Sequence, residues 1–203
     1  MSAKALLRRE LLAARRLLTM EDVERAAAVL ARHALGLPEL AGARTVAAYV
    51  SVGREPGTRA LLDALRARGV RVLLPVLLAD NDLDWAPYEG TGNLAKAGRG
   101  LLEPTGGRLG PDAVLEADAV LLPGLAVDGR GMRLGRGGGS YDRVLARLAA
   151  AGAHPALIVL LYGDEVAARV PEEPHDRPVD AVVTPDGARR FGRGRGPAPV
   201  PRP

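Results

Sequence analysis

No cysteine occurs among the 203 residues. Disulfides, thiolate metal sites and cysteine nucleophiles are thereby excluded. Rings are almost as scarce, with one tryptophan, one phenylalanine and 3% aromatic residues in all. Such a chain has few platforms on which the bases of single-stranded nucleic acid could stack. Lysine is nearly missing too: Lys4 and Lys96 are the only two, so arginine carries the basic charge. No apolar run approaches the length of a membrane span. The charged N-terminal stretch has no secretion-signal core. A cytoplasmic protein without a membrane partner is expected.

What is present suits an ordinary soluble globular chain, 47% hydrophobic and 26% charged. Its length fits one domain with a sizeable core. The net charge of +4 is spread along the chain rather than gathered, except near the C-terminus. A small anionic ligand fits this balance better than a polynucleotide, and a monomer is expected.

Periodicity divides the chain. Leu7, Leu11, Ala14 and Leu18 recur at helical spacing over residues 3 to 18. Thr19 followed by Asp22 signals the capping box of a second helix, running to Gly36. Strands are expected at 45–50, 70–74, 83–88, 119–122, 156–162 and 179–184. Further helices are expected at 58–68, 141–151 and, briefly, 164–169. Residues 89 to 112, rich in Gly, Pro and Thr, read as a long connection. Strands alternating with helices predict a three-layer α/β/α fold with a mostly parallel, Rossmann-like sheet over residues 1–191. The Gly-, Pro- and Arg-rich tail 192–203 has no apolar periodicity and is expected to be disordered.

One segment stands out, Arg133-Leu134-Gly135-Arg136-Gly137-Gly138-Gly139-Ser140-Tyr141-Asp142. Four glycines in five positions let a ligand approach the backbone closely. Two arginines offer planar forks suited to phosphate oxygens. The segment lies between a buried-strand pattern ending at Pro123 and a helix pattern beginning at Tyr141. Backbone amides and a helix N-terminus in that setting can cradle phosphate. It is not a Walker loop, because no Lys-Ser or Lys-Thr pair follows, and the G-x-G-x-x-G spacing is absent.

Other candidates are weaker alone. Lys4, Arg8 and Arg15 project within about 40° of one another on a helix, beside the apolar stripe. They read either as a solvated ridge or as cations reaching a cleft edge. Asp142 falls in the first turn of a helix, where the dipole favours it; it could equally hold Mg²⁺ beside phosphate. Glu55 follows a strand and precedes a helix, as a turn residue or as a hydrogen-bond partner for a substrate N–H. His175-Asp176 sits in a polar stretch before the last strand. His33 falls within an amphipathic helix pattern.

Taken together, these motifs resemble the 5-formyltetrahydrofolate cyclo-ligase family, also called 5,10-methenyltetrahydrofolate synthetase. The matching pieces are Lys4-Ala5-Leu6-Leu7-Arg8, Tyr49-Val50-Ser51 with Glu55 and Thr58, and Val72-Leu73-Leu74-Pro75. Leu122 to Asp128, Arg133 to Asp142, and His175-Asp176 before Val179-Asp180 complete them. The resemblance implies an ATP- and Mg²⁺-dependent ligase. It would phosphorylate the formyl oxygen of 5-formyltetrahydrofolate, polyglutamylated or not, after which N10 closes the methenyl ring. It implies that Lys4, Arg8 and Arg133 to Tyr141 hold ATP phosphates, with Arg133 and Arg136 as catalytic cations. Asp142 and Asp176 would bind Mg²⁺. Val50, Glu55 and the loop from Arg136 through Gly137, Gly138 and Gly139 to Ser140 would line the folate site. Trp85, on an edge strand, is placed near the pterin or benzoyl group. Three positions depart from the family pattern: Ser140 stands for an aromatic residue, Gly138 for a lysine, and Gly57 for larger residues. Arg136 is expected to compensate for the lysine.

Two other classes compete. A non-catalytic relative could bind RNA through the Arg-Gly tail, and a sugar-phosphate isomerase could share the scaffold. The retained Lys4, Glu55 and Asp142 favour catalysis over the first, and no carboxylate-lysine pair suggests the second.

Overall fold

The computed structural model describes residues 2–174 and 176–192. His175 and residues 193–203 of the tail lie outside them, so the expectation of tail disorder falls outside as well. Helix α1 (Ala3–Leu17) begins at Ser2, whose hydroxyl accepts the Ala5 N–H. Helix α2 (Met20–Leu35) begins on the capping box that the sequence signals, Thr19 and Asp22 each accepting the other's backbone N–H. After α3 (Pro38–Ala41) come β1 (Thr45–Ala47), α4 (Arg59–Ala67), β2 (Arg71–Leu77) and β3 (Leu83–Pro87). A hairpin of β4 (Leu94–Lys96) and β5 (Leu102–Pro104) follows. Next are β6 (Ala119–Leu122), β7 (Ala126–Asp128), β8 (Arg133–Leu134) and α5 (Ser140–Ala150). The described chain closes with β9 (Ala156–Leu160), β10 (Val166–Ala167), β11 (Ala181–Thr184) and β12 (Gly187–Arg190).

Seven strands form the main sheet in the order β12-β11-β9-β6-β1-β2-β3. The five inner strands are parallel, and β3 and β12 are antiparallel edges. Thr45 to Ala47 register with Arg71 to Leu73 on one side, and Val46 and Ala47 with Ala119 and Val120 on the other. The chain runs from β1 out to β2 and β3, then returns to β6 on the opposite flank of β1. The strand order therefore reverses between β1 and β6. Ligands of open α/β sheets bind beyond the carboxyl ends of the strands at such a reversal.

Inner strands carry apolar side chains on both faces because both faces are covered. Val46, Val72, Leu74, Leu121, Ile158 and Leu160 pack under α2 and α4, against Leu30, Leu61, Leu62 and Leu65. Ala47, Leu73, Val120, Leu122 and Val159 pack on the other face, against Val144 and Leu148 of α5 and Val114. The three-layer α/β/α architecture is as expected. Gly57 fits this packing for a local reason: a Cβ there would lie 2.6 Å from the Ala27 Cβ, so only glycine lets the turn press against α2.

Several local expectations need correcting. The helix expected at 164–169 is a single turn, Gly163–Glu165, running into β10, which joins β7 and β8 in a small second sheet. β1 stops at Ala47 rather than Val50, because the chain after it turns into the site. The connection 89–112 carries the β4–β5 hairpin. Trp85 is fully buried among the apolar residues on the α5 face and lines no ligand cavity. Helix α1 presents no buried apolar residue at all: Leu7 and Leu11 are half-buried, Ala14 is exposed, and the one buried side chain is Arg15.

Candidate functional site

Two loops leave the carboxyl ends of β1 and β6 at the reversal point. The first carries Tyr49, Val50, Val52 and Glu55; the second begins at Pro123 and leads through β7 and β8 to the Gly-rich segment. Between them lies a cavity of about 410 Å³. Its walls are mostly apolar: Tyr49, Val50, Pro75, Leu77 and Leu83 from the sheet end, with Leu101 and Leu102 from the β4–β5 hairpin. Gly135 to Asp142, with Arg133, complete the opposite wall.

Glu55 is held firmly in this wall. It is 9% exposed, and its Oε2 accepts the Val52 N–H at 2.8 Å. Ser51 and Thr58 brace the same turn reciprocally, each hydroxyl accepting the other's backbone N–H. Across the cavity the Arg136 Nη1 donates to Glu55 Oε1 at 3.0 Å. Arg136, about half exposed, thus pairs with a carboxylate across the cavity. Burial pushes the Tyr49 and Tyr141 phenols well above their ordinary value. Both stay protonated at neutral pH and can donate hydrogen bonds.

Arg133 lies deeper. Its side chain is 6% exposed, its Nη1 donates to the Pro123 carbonyl at 2.7 Å, and its Nη2 is 3.7 Å from Asp142 Oδ1. Its Nε is buried and has no partner among the described residues. Burial pulls its pKa down, but a guanidinium remains protonated at any physiological pH. The result is a dry cation with an open donor, which an incoming anion would satisfy.

Arg133 and Asp142 also line a second, polar cavity of about 420 Å³, closed by Leu145, Ala146, Pro174, Asp176, Arg177 and Pro178. The two hollows therefore meet at one Arg–Asp pair. Asp142 lies in the first turn of α5, whose cap residue Gly139 (φ 80°) supplies no side-chain cap. The first N–H groups of α5 are thus not capped by a side chain and suit an anion. No group of three or more metal-ligating side chains occurs among the described residues. Mg²⁺ usually takes one or two carboxylates and completes its shell with water and phosphate oxygens. Asp142 and Asp176 on the wall of one cavity fit that habit.

Helix α1 borders this polar side. Lys4 Nζ donates to Asp176 Oδ2 at 2.6 Å and to Glu173 Oε2 at 2.9 Å. Burial works against the ammonium, but those bonds outweigh it and hold Lys4 above the ordinary lysine value. Arg8 Nε donates to the Gly135 carbonyl at 2.8 Å. A Cβ on Gly137 (φ 91°) would lie 3.3 Å from the Arg8 guanidinium carbon, so glycine lets the arginine back the loop closely. Lys4 and Arg8 are therefore not a solvated ridge, though neither lines the two cavities directly.

Of the residues singled out in the sequence, Val50, Glu55, Arg133, Asp142 and the run Gly135 to Tyr141 gather around the apolar cavity. Asp176 reaches only the polar one. Leu134 lines neither: its side chain packs with Ala126 and Val170. Sequence reasoning missed the apolar wall of Leu77, Leu83, Leu101 and Leu102, since an aliphatic residue carries no sign of its role until the fold places it. It also missed Asp128. This carboxylate is 1% exposed and accepts from the backbone N–H groups of Arg130, Met132 and Val170 and from the Arg130 guanidinium. Burial works towards protonation, yet these donors hold Asp128 below the usual carboxylate range. It pins the segment that leads to Asp176.

A family model described as the 5-formyltetrahydrofolate cyclo-ligase family matches residues 1–185. A protein named 5-formyltetrahydrofolate cyclo-ligase from Mycolicibacterium smegmatis is 47% identical over 149 residues, 70% of this chain and 74% of that protein. One of the same name from Escherichia coli is 32% identical over 176 residues, 84% of this chain and 94% of that one. The solved 5,10-methenyltetrahydrofolate synthetase of Aquifex aeolicus superposes with a TM-score of 0.80 at 28% identity, covering 96% of each chain. That of Mycoplasma pneumoniae gives 0.68 at 19% identity over 90% of this chain and 98% of its own, a likeness of fold.

Proposed function

The chain belongs to the 5-formyltetrahydrofolate cyclo-ligase family and is a ligase, and from that premise we propose the following division of labour. The apolar cavity takes 5-formyltetrahydrofolate, and the polar cavity takes the nucleotide, with the triphosphate reaching the Gly-rich loop and the start of α5. The γ-phosphoryl group passes to the formyl oxygen where the cavities meet, at Arg133 and Asp142. N10 then attacks the activated carbon, loses its proton, and phosphate leaves with the former formyl oxygen; ADP is the coproduct. The shared Arg133–Asp142 seam is the single observation that carries this reading.

The residues present account for the main demands of such a step, which are positioning and charge neutralisation. Arg133 supplies a desolvated cation with a free donor, effective because little water competes with it. The N–H groups at the start of α5 supply fixed dipoles for phosphate oxygens. Lys4 and Arg8 add positive charge along α1. Glu55, anchored through Val52, can accept a ring N–H of the substrate once Arg136 turns from it to phosphate. Tyr49 and Tyr141 can donate to substrate oxygens. Asp142 and Asp176 would hold Mg²⁺, which would neutralise phosphate charge.

The test is direct. Purified protein with ATP, Mg²⁺ and 5-formyltetrahydrofolate should form methenyl product and ADP one for one; no turnover above buffer would reject the reading. The comparisons lend no support to an RNA-binding role.

A further inference from the structure

Arg15 carries none of the chemistry just assigned, yet it is the only buried side chain of α1. Its Nε and Nη2 grip Glu165 Oε1 and Oε2 at 2.6 and 2.9 Å, and Nη2 also donates to the Gly124 carbonyl at 2.7 Å. The guanidinium lies 5.7 Å from the centroid of the Tyr162 ring. Glu165, 2% exposed, accepts the Tyr162 N–H through Oε2 at 2.9 Å. Tyr162 in turn donates its hydroxyl to the Arg54 carbonyl at 3.2 Å, next to Glu55. One side chain thus joins α1 to the loops that leave β6 and β9, and through Tyr162 to the loop that leaves β1.

We propose that the buried Arg15–Glu165 pair is a positioning pair that fixes the angle of α1 and so presents Lys4 and Arg8 to the nucleotide. Two facts argue that stability alone is not its purpose. A buried ion pair surrenders so much hydration that apolar replacements of similar volume are often as stable or more so. And α1 has no buried apolar residue to set its orientation, only half-buried Leu7 and Leu11 against a small cluster. Polar bonds therefore fix it: the buried fork of Arg15 towards its C-terminal end and the less buried bonds of Lys4 and Arg8 towards its start. A sliding apolar contact tolerates rotation, whereas a bidentate fork does not.

Leverage makes the angle matter. At 1.5 Å per residue, Lys4 lies about 16 Å and Arg8 about 10 Å from Arg15 along the helix. A tilt of roughly 5° about Arg15 would move Lys4 by about 1.4 Å on that lever. Displacements near 1 Å can cost about a hundredfold in rate.

The inference rests on the proposed nucleotide site, so the unaltered enzyme is the control. Failure of that enzyme to turn over rejects the nucleotide reading, not the pair. Arg15→Met/Glu165→Met removes both charges together and keeps the bulk. Its melting temperature should stay close to that of the unaltered protein. KM for ATP, and the calorimetric Kd for ATP without folate, should rise about tenfold. KM for 5-formyltetrahydrofolate should change less than threefold. Amide exchange in residues 3–12 should quicken whatever the enzyme does. Arg15→Lys keeps the charge without the fork and should raise KM for ATP by a smaller factor. If the double variant does not fold, Arg15→Lys carries the test. An unchanged KM and Kd for ATP in whichever variant folds overturns the proposal, as does a loss shared equally by both substrates.

Discussion

The two cavities that meet at Arg133 are nearly equal in size and opposite in chemistry. One is walled by Tyr49, Val50, Leu77, Leu83, Leu101 and Leu102; the other by Asp142, Asp176, Arg133 and Arg177. The apolar hollow comes from side chains scattered over four segments, and its shape depends on the sheet and hairpin. The polar one is assembled from a few charges, of which Arg133, Asp142 and Asp176 are each held by a specific bond or ion pair. Apolar walls select shape and can lose one member with graded damage. Charged walls select valence and fail abruptly, because the partner of a missing ion is left uncompensated.

The widest separation of the two should come at their common residue. Arg133→Ala should lower kcat/KM for both substrates by about 10³, roughly 4 kcal/mol, measured by methenyl absorbance. Wild-type turnover would remove Arg133 from the reaction. Asp142→Asn should cut turnover by about 10², roughly 2.7 kcal/mol, with part of the loss restored by raised Mg²⁺. A loss that ignores Mg²⁺ would take the carboxylate out of metal binding.

Asp128→Asn probes the scaffold beneath the polar side. Its native pKa is depressed, so Asp128 adds stability above the unfolded pKa, near 4. That stability fades as pH falls through the lower folded value. The variant should be less stable at pH 7 by about 1–3 kcal/mol, and its stability should fall less steeply below pH 4. Denaturant titrations at several pH values check this; parallel acid profiles would refute it. The smallest effect belongs to the apolar wall. Leu101→Ala should raise KM for the folate up to about tenfold, some 1.4 kcal/mol, leaving KM for ATP unchanged.

Features whose chemistry is local in sequence were the most legible. Glycines and arginines at 133–139 mark by themselves the loop that walls the cavity, and the Thr19–Asp22 box needed no tertiary information. The parallel sheet was readable because strands buried on both faces are continuously apolar. What escaped depends on distance along the chain. Arg15 looked like one more helix cation because Glu165 stands 150 residues away. Trp85 looked like a ligand platform on an edge strand, but the turn at Pro111–Glu116 and α5 cover it. The strands β7, β8 and β10 hold only two or three residues each, too short for alternation to register.

Among the described residues, the side-chain bonds by which Lys4, Arg8 and Arg15 tie α1 to the body of the protein are made with Gly124 or residues beyond it. During synthesis this helix must wait until the chain has been made as far as Glu165 and Asp176 before those bonds can form. Lys4 and Arg8 therefore reach their partners only once Gly135, Glu173 and Asp176 have been made. Attachment of α1 thus ties one end of the domain to loops made more than 100 residues later, so its docking requires nearly the whole fold.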